Sequence, residues 1–366
     1  MGNGLFRKYT IGLTTAIFIM AACTDPIEEV TKEEAVTFAK QIESTIKKGD
    51  ANFLDNSFDK KEFVNKMNLP NTQTANEFSK GITNKTFTIG AQIAALLGDQ
   101  DSFEFIKYYL KNGRSHVIFR IYTDKDGSLN YHDYELIKRN GKTRIADVYI
   151  YISGENFSET MHNIYSSLYE KSAALNYSED EKLAGLMKLK DVKQLMQKGR
   201  NKEAKEMYDD IPAYLKKSKA VMLINVLICS NLTSEEYQKA IDEFQSKFPD
   251  EPNMSLLMID GYCMQKEYTK MLAAINTLDE QINKDPLLDY QRYLSYTLLE
   301  KKDSSLFFLK RLTYNMPDFQ KGFIELISTD LQNGKQQEAD SVIAVYRKKP
   351  KFDQEKLNTI VGYSKK

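Results

Sequence analysis

Residues 103–152, FEFIKYYLKNGRSHVIFRIYTDKDGSLNYHDYELIKRNGKTRIADVYIYI, decide the fold of this chain. Four runs rich in Phe, Tyr, Ile and Val, at 103–111, 114–123, 129–138 and 143–152, are separated by Asn112-Gly113, Asp126-Gly127 and Asn140-Gly141. Each dipeptide tolerates positive φ and favours a tight hairpin, so the spacing predicts a four-stranded antiparallel meander. In the last run Ala146, Val148, Ile150 and Ile152 alternate with Ile145, Asp147, Tyr149 and Tyr151. One face is then apolar and the other mixed.

Upstream, Thr31 and Glu34 stand in capping-box spacing, and Ala35, Phe38, Ala39, Ile42 and Ile46 follow at helical intervals until Gly49. Between 50 and 100 the pattern is weaker: Phe53, Leu54, Phe58, Phe63 and Met67 suggest short helices, Pro70 to Asn76 a loop, and Phe87 to Leu97 a further helix. These helices are expected to cover the apolar face of the meander, which makes residues 31–155 an α+β domain. Through its first amphipathic helix and the strand Ile145-Ala146-Asp147-Val148-Tyr149-Ile150-Tyr151, this region resembles the nuclear-transport-factor-two-like, or cystatin-like, cone. The resemblance implies a curved sheet closed at one end, with room in some members for a pocket that uses His, Asp and Tyr for acid–base work.

Downstream of Ser153-Gly154 no strand pattern returns. Residues 156–179 read as a linking helix, and 178–198 as another with Ser178 and Glu181 in capping-box spacing. A small residue then precedes a large one by four positions five times: Ala204 and Tyr208, Ala240 and Phe244, Ala274 and Leu278, Ser305 and Leu309, Ala339 and Ile343. The small residues are 36, 34, 31 and 34 apart, and Pro252, Pro286, Pro317 and Pro350 follow at eleven or twelve residues. A small residue lets one helix press on its partner, the large one fills the gap to the next pair, and Pro separates the pairs. Over 180–351 the chain resembles the tetratricopeptide repeat in a degenerate form. Trp is absent, and the small residue usual early in the first helix is replaced by Val192, Ile228, Tyr262, Tyr293 and Ile327. Residues 352–366 are expected to supply a C-terminal capping helix. The fold class is therefore an α+β cone followed by an all-α helical-repeat solenoid.

The repeat resemblance implies a concave surface made by the first helices, here Asn225, Cys229, Ile259, Cys263, Tyr290, Leu294, Ile324 and Ser328. That surface is mostly apolar and lacks the Lys and Arg donors that capture a C-terminal carboxylate. It suits an apolar helix or strand from a partner, or the protein's own N-terminal domain.

At the other end, Arg7 and Lys8 precede an uncharged run from Tyr9 to Ala22, the length of a signal-peptide core and too short to span a bilayer. Ordinary cleavage after Ala22 would place bulky Met20 at a position that wants a small residue. Ile19-Met20-Ala21-Ala22-Cys23 instead resembles a bacterial lipobox, which implies a signal peptide over 1–22, acylation of Cys23 and lasting membrane attachment. A cut after Cys23 would release an unanchored protein. Residues 23–30 read as an acidic lipidated tether, and the expected location is the cell envelope, at the outer membrane, on its periplasmic or surface side.

Losing Arg7 and Lys8 from the 51 basic residues leaves 49 against 51 acidic ones, with no basic block to mark nucleic acid as a partner. Cys229 and Cys263 lie 34 residues apart at equivalent repeat positions, where packed helices stand about 8–10 Å apart, beyond disulfide reach. Phosphate loops, zinc motifs and nucleophile elbows are absent, so neither cofactor nor metal is expected. The polar residues set in strands are His116, Arg120, His132, Asp133 and Asp147; His132, Asp147 and Tyr149 are the candidate pocket. His162, without a ligand-spaced partner, reads as a surface residue. Together these features predict a non-catalytic envelope lipoprotein that binds or scaffolds a protein or peptide partner through its repeats. An enzyme or small-ligand receptor with its site in the cone is the alternative, and an assembly factor for outer-membrane complexes a third.

Overall fold

In the computed structural model of the chain, residues 26–98, 101–125, 127–171, 177–249, 254–350 and 352–363 are described. The expected signal segment, Cys23, Asp126 and Pro252 lie outside the described residues.

Helix α1, Lys32–Lys47, begins with both hydrogen bonds of the Thr31–Glu34 capping box in place, and Gly49 at φ +77° turns the chain away after it. Its buried stripe is Ala35, Phe38, Ala39, Ile42 and Ile46. Three short helices follow, α2 (Asn52–Asp55), α3 (Lys60–Met67) and α4 (Gln73–Thr83), and then α5 (Ile89–Leu96). Helix α4 starts inside the stretch expected to be a loop, because Thr72 Oγ1 accepts the Ala75 N–H and nucleates a helix just beyond Pro70.

The strands are β1 (Ser102–Lys111), β2 (Arg114–Tyr122), β3 (Leu129–Arg139), β4 (Lys142–Ile150) and a two-residue β5 (Glu155–Asn156), in that order across one antiparallel sheet. The short β5 extends the expected four strands to five: residues 151–154 turn the chain back, and Glu155 and Asn156 pair with Ile150 and Tyr149. Asn112-Gly113 and Asn140-Gly141 all have positive φ, as two-residue hairpins require. The middle connection is longer, closed by Thr123 N–H donating to the Ser128 carbonyl.

Register shifts interrupt the alternation in β1, at Phe105/Lys107, and in β4, where Glu135 pairs with Asp147 and Leu136 with Ile145. Ala146 is the extra residue. This bulge corrects the expected faces of β4: Ile145 joins Val148 and Ile150 in the helix-covered core, although simple alternation sets them apart. That core unites α1–α5 with Phe103, Val117, Phe119, Ile121, Tyr134 and Leu136. At about 1.5–3 kcal/mol for each large apolar side chain taken from water, it is the main driving force for the domain.

Residues 28–30 also belong to this domain. Glu28 pairs with Lys138, Val30 is buried, and Ser115 Oγ donates to the Val30 carbonyl at 2.7 Å. The expected free tether is thereby shortened at its distal end.

Beyond α6 (Phe157–Tyr165) and one wider turn of helix at Ser166–Lys171, every regular element among the described residues is a helix. Helices pack as consecutive pairs: Glu179–Gln197 with Asn201–Asp209, Lys219–Cys229 with Ser234–Lys247, and Met254–Met264 with Tyr268–Gln281. Leu288–Leu298 with Lys302–Asn315 and Gln320–Gln332 with Gln336–Tyr346 continue the series, and Gln354–Tyr363 packs on the last pair. The second helix of every pair carries one small–large couple, and all ten side chains are buried. Pro286, Pro317 and Pro350 fall between pairs.

The outer face of the sheet meets these helices. Ile118, Tyr131 and Tyr151 share a core with Leu256, Ile259, Met271, Ala274, Ile275, Leu278, Ile282 and Leu288. Within that contact Arg120 Nη1 pairs with Asp285 Oδ1 at 2.5 Å, and Tyr131 Oη donates to Asp285 Oδ2 at 2.8 Å. At the rim Lys107 Nζ donates to the Asn283 carbonyl and Tyr151 Oη to that of Gln281. A second ionic chain, Asp279–Arg292–Asp289–Arg311, stiffens the helices behind it.

Candidate functional site

Where the helices stop covering the outer face of the sheet, a polar cleft of about 1020 Å³ remains. The strands supply its floor: His116 from β2, Asp133 and Glu135 from β3 and Tyr149 from β4. The β1–β2 turn contributes Lys111 and Arg114, the end of α3 Lys66 and Asn68, and segment 154–163 Glu155, Glu159 and His162. Lys219 closes one side, its ammonium donating to the Gly154 carbonyl at 3.1 Å.

The floor is organised around Asp133. His116 Nδ1 lies 3.0 Å from Asp133 Oδ1, and Tyr109 Oη donates to Asp133 Oδ2. The Tyr109 and His116 rings tilt against each other with centroids 5.0 Å apart. Burial, and then the neighbouring Asp133 charge, push the Tyr109 phenol far above its ordinary range, so it stays a proton donor. With Nδ1 engaged, Nε2 is the His116 nitrogen left for the cleft.

The other carboxylates of the cleft are also engaged. Glu135 accepts from Lys66 at 2.7 Å and lies 3.9 Å from Arg114; Glu62 lies 3.8 Å from Arg139. Glu155, its carboxyl raised by burial, accepts from Thr160 and Asn163, and Glu159 accepts the Asn156 N–H. His162, expected on the surface, is half-buried and donates Nδ1–H to the Met67 carbonyl at 2.9 Å. It too keeps Nε2 for the cleft.

The three residues expected to form a pocket do not converge. His132 lies beneath the helices on the opposite face, sharing a hydrogen bond of 3.1 Å with Tyr134 Oη, and burial pulls its imidazole down to about 4. Asp147 is sealed under α6, accepting from Val148 N–H and from both N–H and Oγ of Ser158. Burial raises its carboxyl to about 6 against these hydrogen bonds. Tyr149 alone reaches the cleft. Lys66, Arg114, His162 and Lys219 come from four separated segments, and no local spacing marks them.

The expected repeat groove is divided in the same way. Ile259 and Cys263 pack into the core shared with the sheet. Tyr290 and Leu294 pack with Phe319, whose ring meets Tyr122 of β2 at 5.6 Å. Asn225 and Cys229 line a separate recess of about 540 Å³, and Ile324 one of about 710 Å³ beside Tyr122; Ser328 accepts from Gln332. Among the described residues no three His, Cys, Asp or Glu side chains are grouped to hold a metal ion, and no helix is long and apolar enough to cross a membrane. No family model, curated protein or solved structure matches the chain.

Proposed function

We propose that this is a lipid-anchored binding protein of the cell envelope, in which a cone-like N-terminal domain is cradled by degenerate tetratricopeptide-like repeats. Its recognition site is the polar cleft beside the sheet, and it works without catalysing a reaction. The observation that carries this reading is the buried Arg120–Asp285 pair, which seats the sheet on the middle of the helical array and leaves the polar cleft open beside it. At Ile259 and Cys263, two of the residues expected to line a groove, the helices pack against the sheet instead.

The test is capture from solubilised membranes with native protein, an Arg114→Gln variant and an Asn225→Ala variant, followed by mass spectrometry of bound small molecules and proteins. Loss of a bound species with the first variant alone supports the cleft; loss with the second alone returns the function to the repeats. That second reading, a scaffold for a protein partner, has its own support on Lys302–Asn315, where Phe307, 56% exposed, lies beside the Arg311 guanidinium and Tyr314 is 85% exposed. Exposed aromatics flanking an Arg are the composition of many protein–protein contacts.

A further inference from the structure

The hydrogen-bond inventory of the cleft specifies what can enter it. Asp133, Glu135, Glu62, Glu155 and Glu159 all accept bonds or pair with cations from within the chain. Each keeps lone pairs that can still accept from ligand hydroxyls, but cations and donors of the chain already offset much of their charge. The donors stand differently. Lys111 is exposed and has no side-chain partner among the described residues, and Arg114 approaches Glu135 only at 3.9 Å through Nε. Both terminal nitrogens of Arg114 therefore remain for a planar, two-oxygen group. Deeper in, His116 and His162 present Nε2, because Asp133 and the Met67 carbonyl have taken Nδ1. A neutral imidazole so tied accepts at Nε2, and its natural partner is a hydroxyl.

Resting on the assignment of the cleft as the recognition site, we infer that its ligand is a hydroxylated carboxylate of the sugar-acid type. Arg114 and Lys111 hold the carboxylate at the mouth, and His116 and His162 accept from hydroxyl groups within. A cleft of about 1020 Å³ has room for a free sugar acid or for the acidic end of a longer saccharide.

Titration of the full chain in detergent with glucuronate, oligogalacturonate, glucose and inorganic phosphate tests this, read by the ¹⁵N shifts of the three histidines. His132, buried on the opposite face, is the internal reference. Saturable binding of glucuronate or oligogalacturonate that moves His116 and His162 but not His132, weakened at least about tenfold by Arg114→Gln, is the expected result. The stronger of those two ligands identifies the source. Glucose binding as well as glucuronate, or an Arg114→Gln variant of unchanged affinity, overturns the carboxylate; phosphate matching glucuronate overturns the hydroxyl recognition. In those cases His116 and His162 still respond and the cleft survives as a site. If none of the four ligands moves either histidine, the sugar-acid inference fails; loss of the species captured from membranes in the Asn225→Ala variant alone is what would also overturn the cleft.

Discussion

Arg120 in β2 and Asp285, 165 residues later in the loop before Leu288–Leu298, form an ion pair whose side chains are 2% and 0% exposed. Desolvating both charges is costly, and the pair persists because its surroundings complete the bonding. Asp285 also accepts from Tyr131 and from the Leu287 N–H, while Arg120 reaches Glu104 as well. The pair joins the sheet to the helices at the point where the expected groove would otherwise be open.

Removing Asp285 takes away the buried partner of Arg120 and leaves it only the half-exposed Glu104. Asp285→Ala is expected to destabilise the protein by about 3–5 kcal/mol, and Arg120→Met with Asp285→Leu to recover most of that loss. Guanidinium titration followed by circular dichroism measures both. A single-variant loss under 1 kcal/mol would show the contact to be peripheral.

Asp147 and His132 oppose each other in acid. The Asp147 carboxyl is raised from 3.8 to about 6, so its contribution is most favourable below pH 3.8 and is lost as pH rises through about 6. The His132 imidazole is lowered from 6.5 to about 4, so its contribution is complete above pH 6.5 and is lost as pH falls toward 4. Between pH 4 and 6 these two effects nearly cancel. Asp147→Asn, which keeps acceptors for the Val148 and Ser158 N–H groups, is expected to stabilise the protein at pH 7 and to uncover the His132 slope. Denaturant titrations at pH 4, 5, 6 and 7 read the difference.

The small residues of the helix pairs admit no more volume. Ala204→Leu, at a position with 0% exposure, is expected to cost about 1–3 kcal/mol by overpacking, whereas Phe307→Ala, at an exposed one, changes stability by about 0.5 kcal/mol or less. Thermal unfolding of the two variants side by side is sufficient.

If Cys23 carries the lipid, Cys23→Ser abolishes palmitate labelling and releases the protein from the membrane fraction. Retention of either label or membrane attachment would overturn the anchor. Because Glu28 is already held by Lys138, only four residues of sequence would separate such a lipid from the folded domain, a reach of roughly 15 Å.

Much of the architecture was legible because its signals are local. Asn112-Gly113 and Asn140-Gly141 adopt the positive φ that their residue types accept most readily, and the Thr31–Glu34 box caps the helix it announces. The couples from Ala204 to Ile343 fall on the second helix of each pair because close approach demands a small side chain there. The Ala146 bulge was not legible, since one extra residue leaves the hydrophobic composition of β4 unchanged while shifting which side chains share a face. His162 looked solitary for a related reason: its partner is a backbone carbonyl 95 residues away, and backbone carries no residue-type signal.

By itself the sequence determined where strands turn, where helices begin and which helical faces pair, because φ preferences, caps and apolar periodicity act over a few residues. The tertiary structure decided which surfaces remain for a ligand. It brought Asp285 to Arg120, packed Ile259 and Cys263 against the sheet, and gathered Lys66, Arg114, His116, Asp133, His162 and Lys219 around one cleft. Those juxtapositions follow from docking a sheet face on a helical array, where buried area and completed hydrogen bonds among residues far apart in the chain outweigh any local preference.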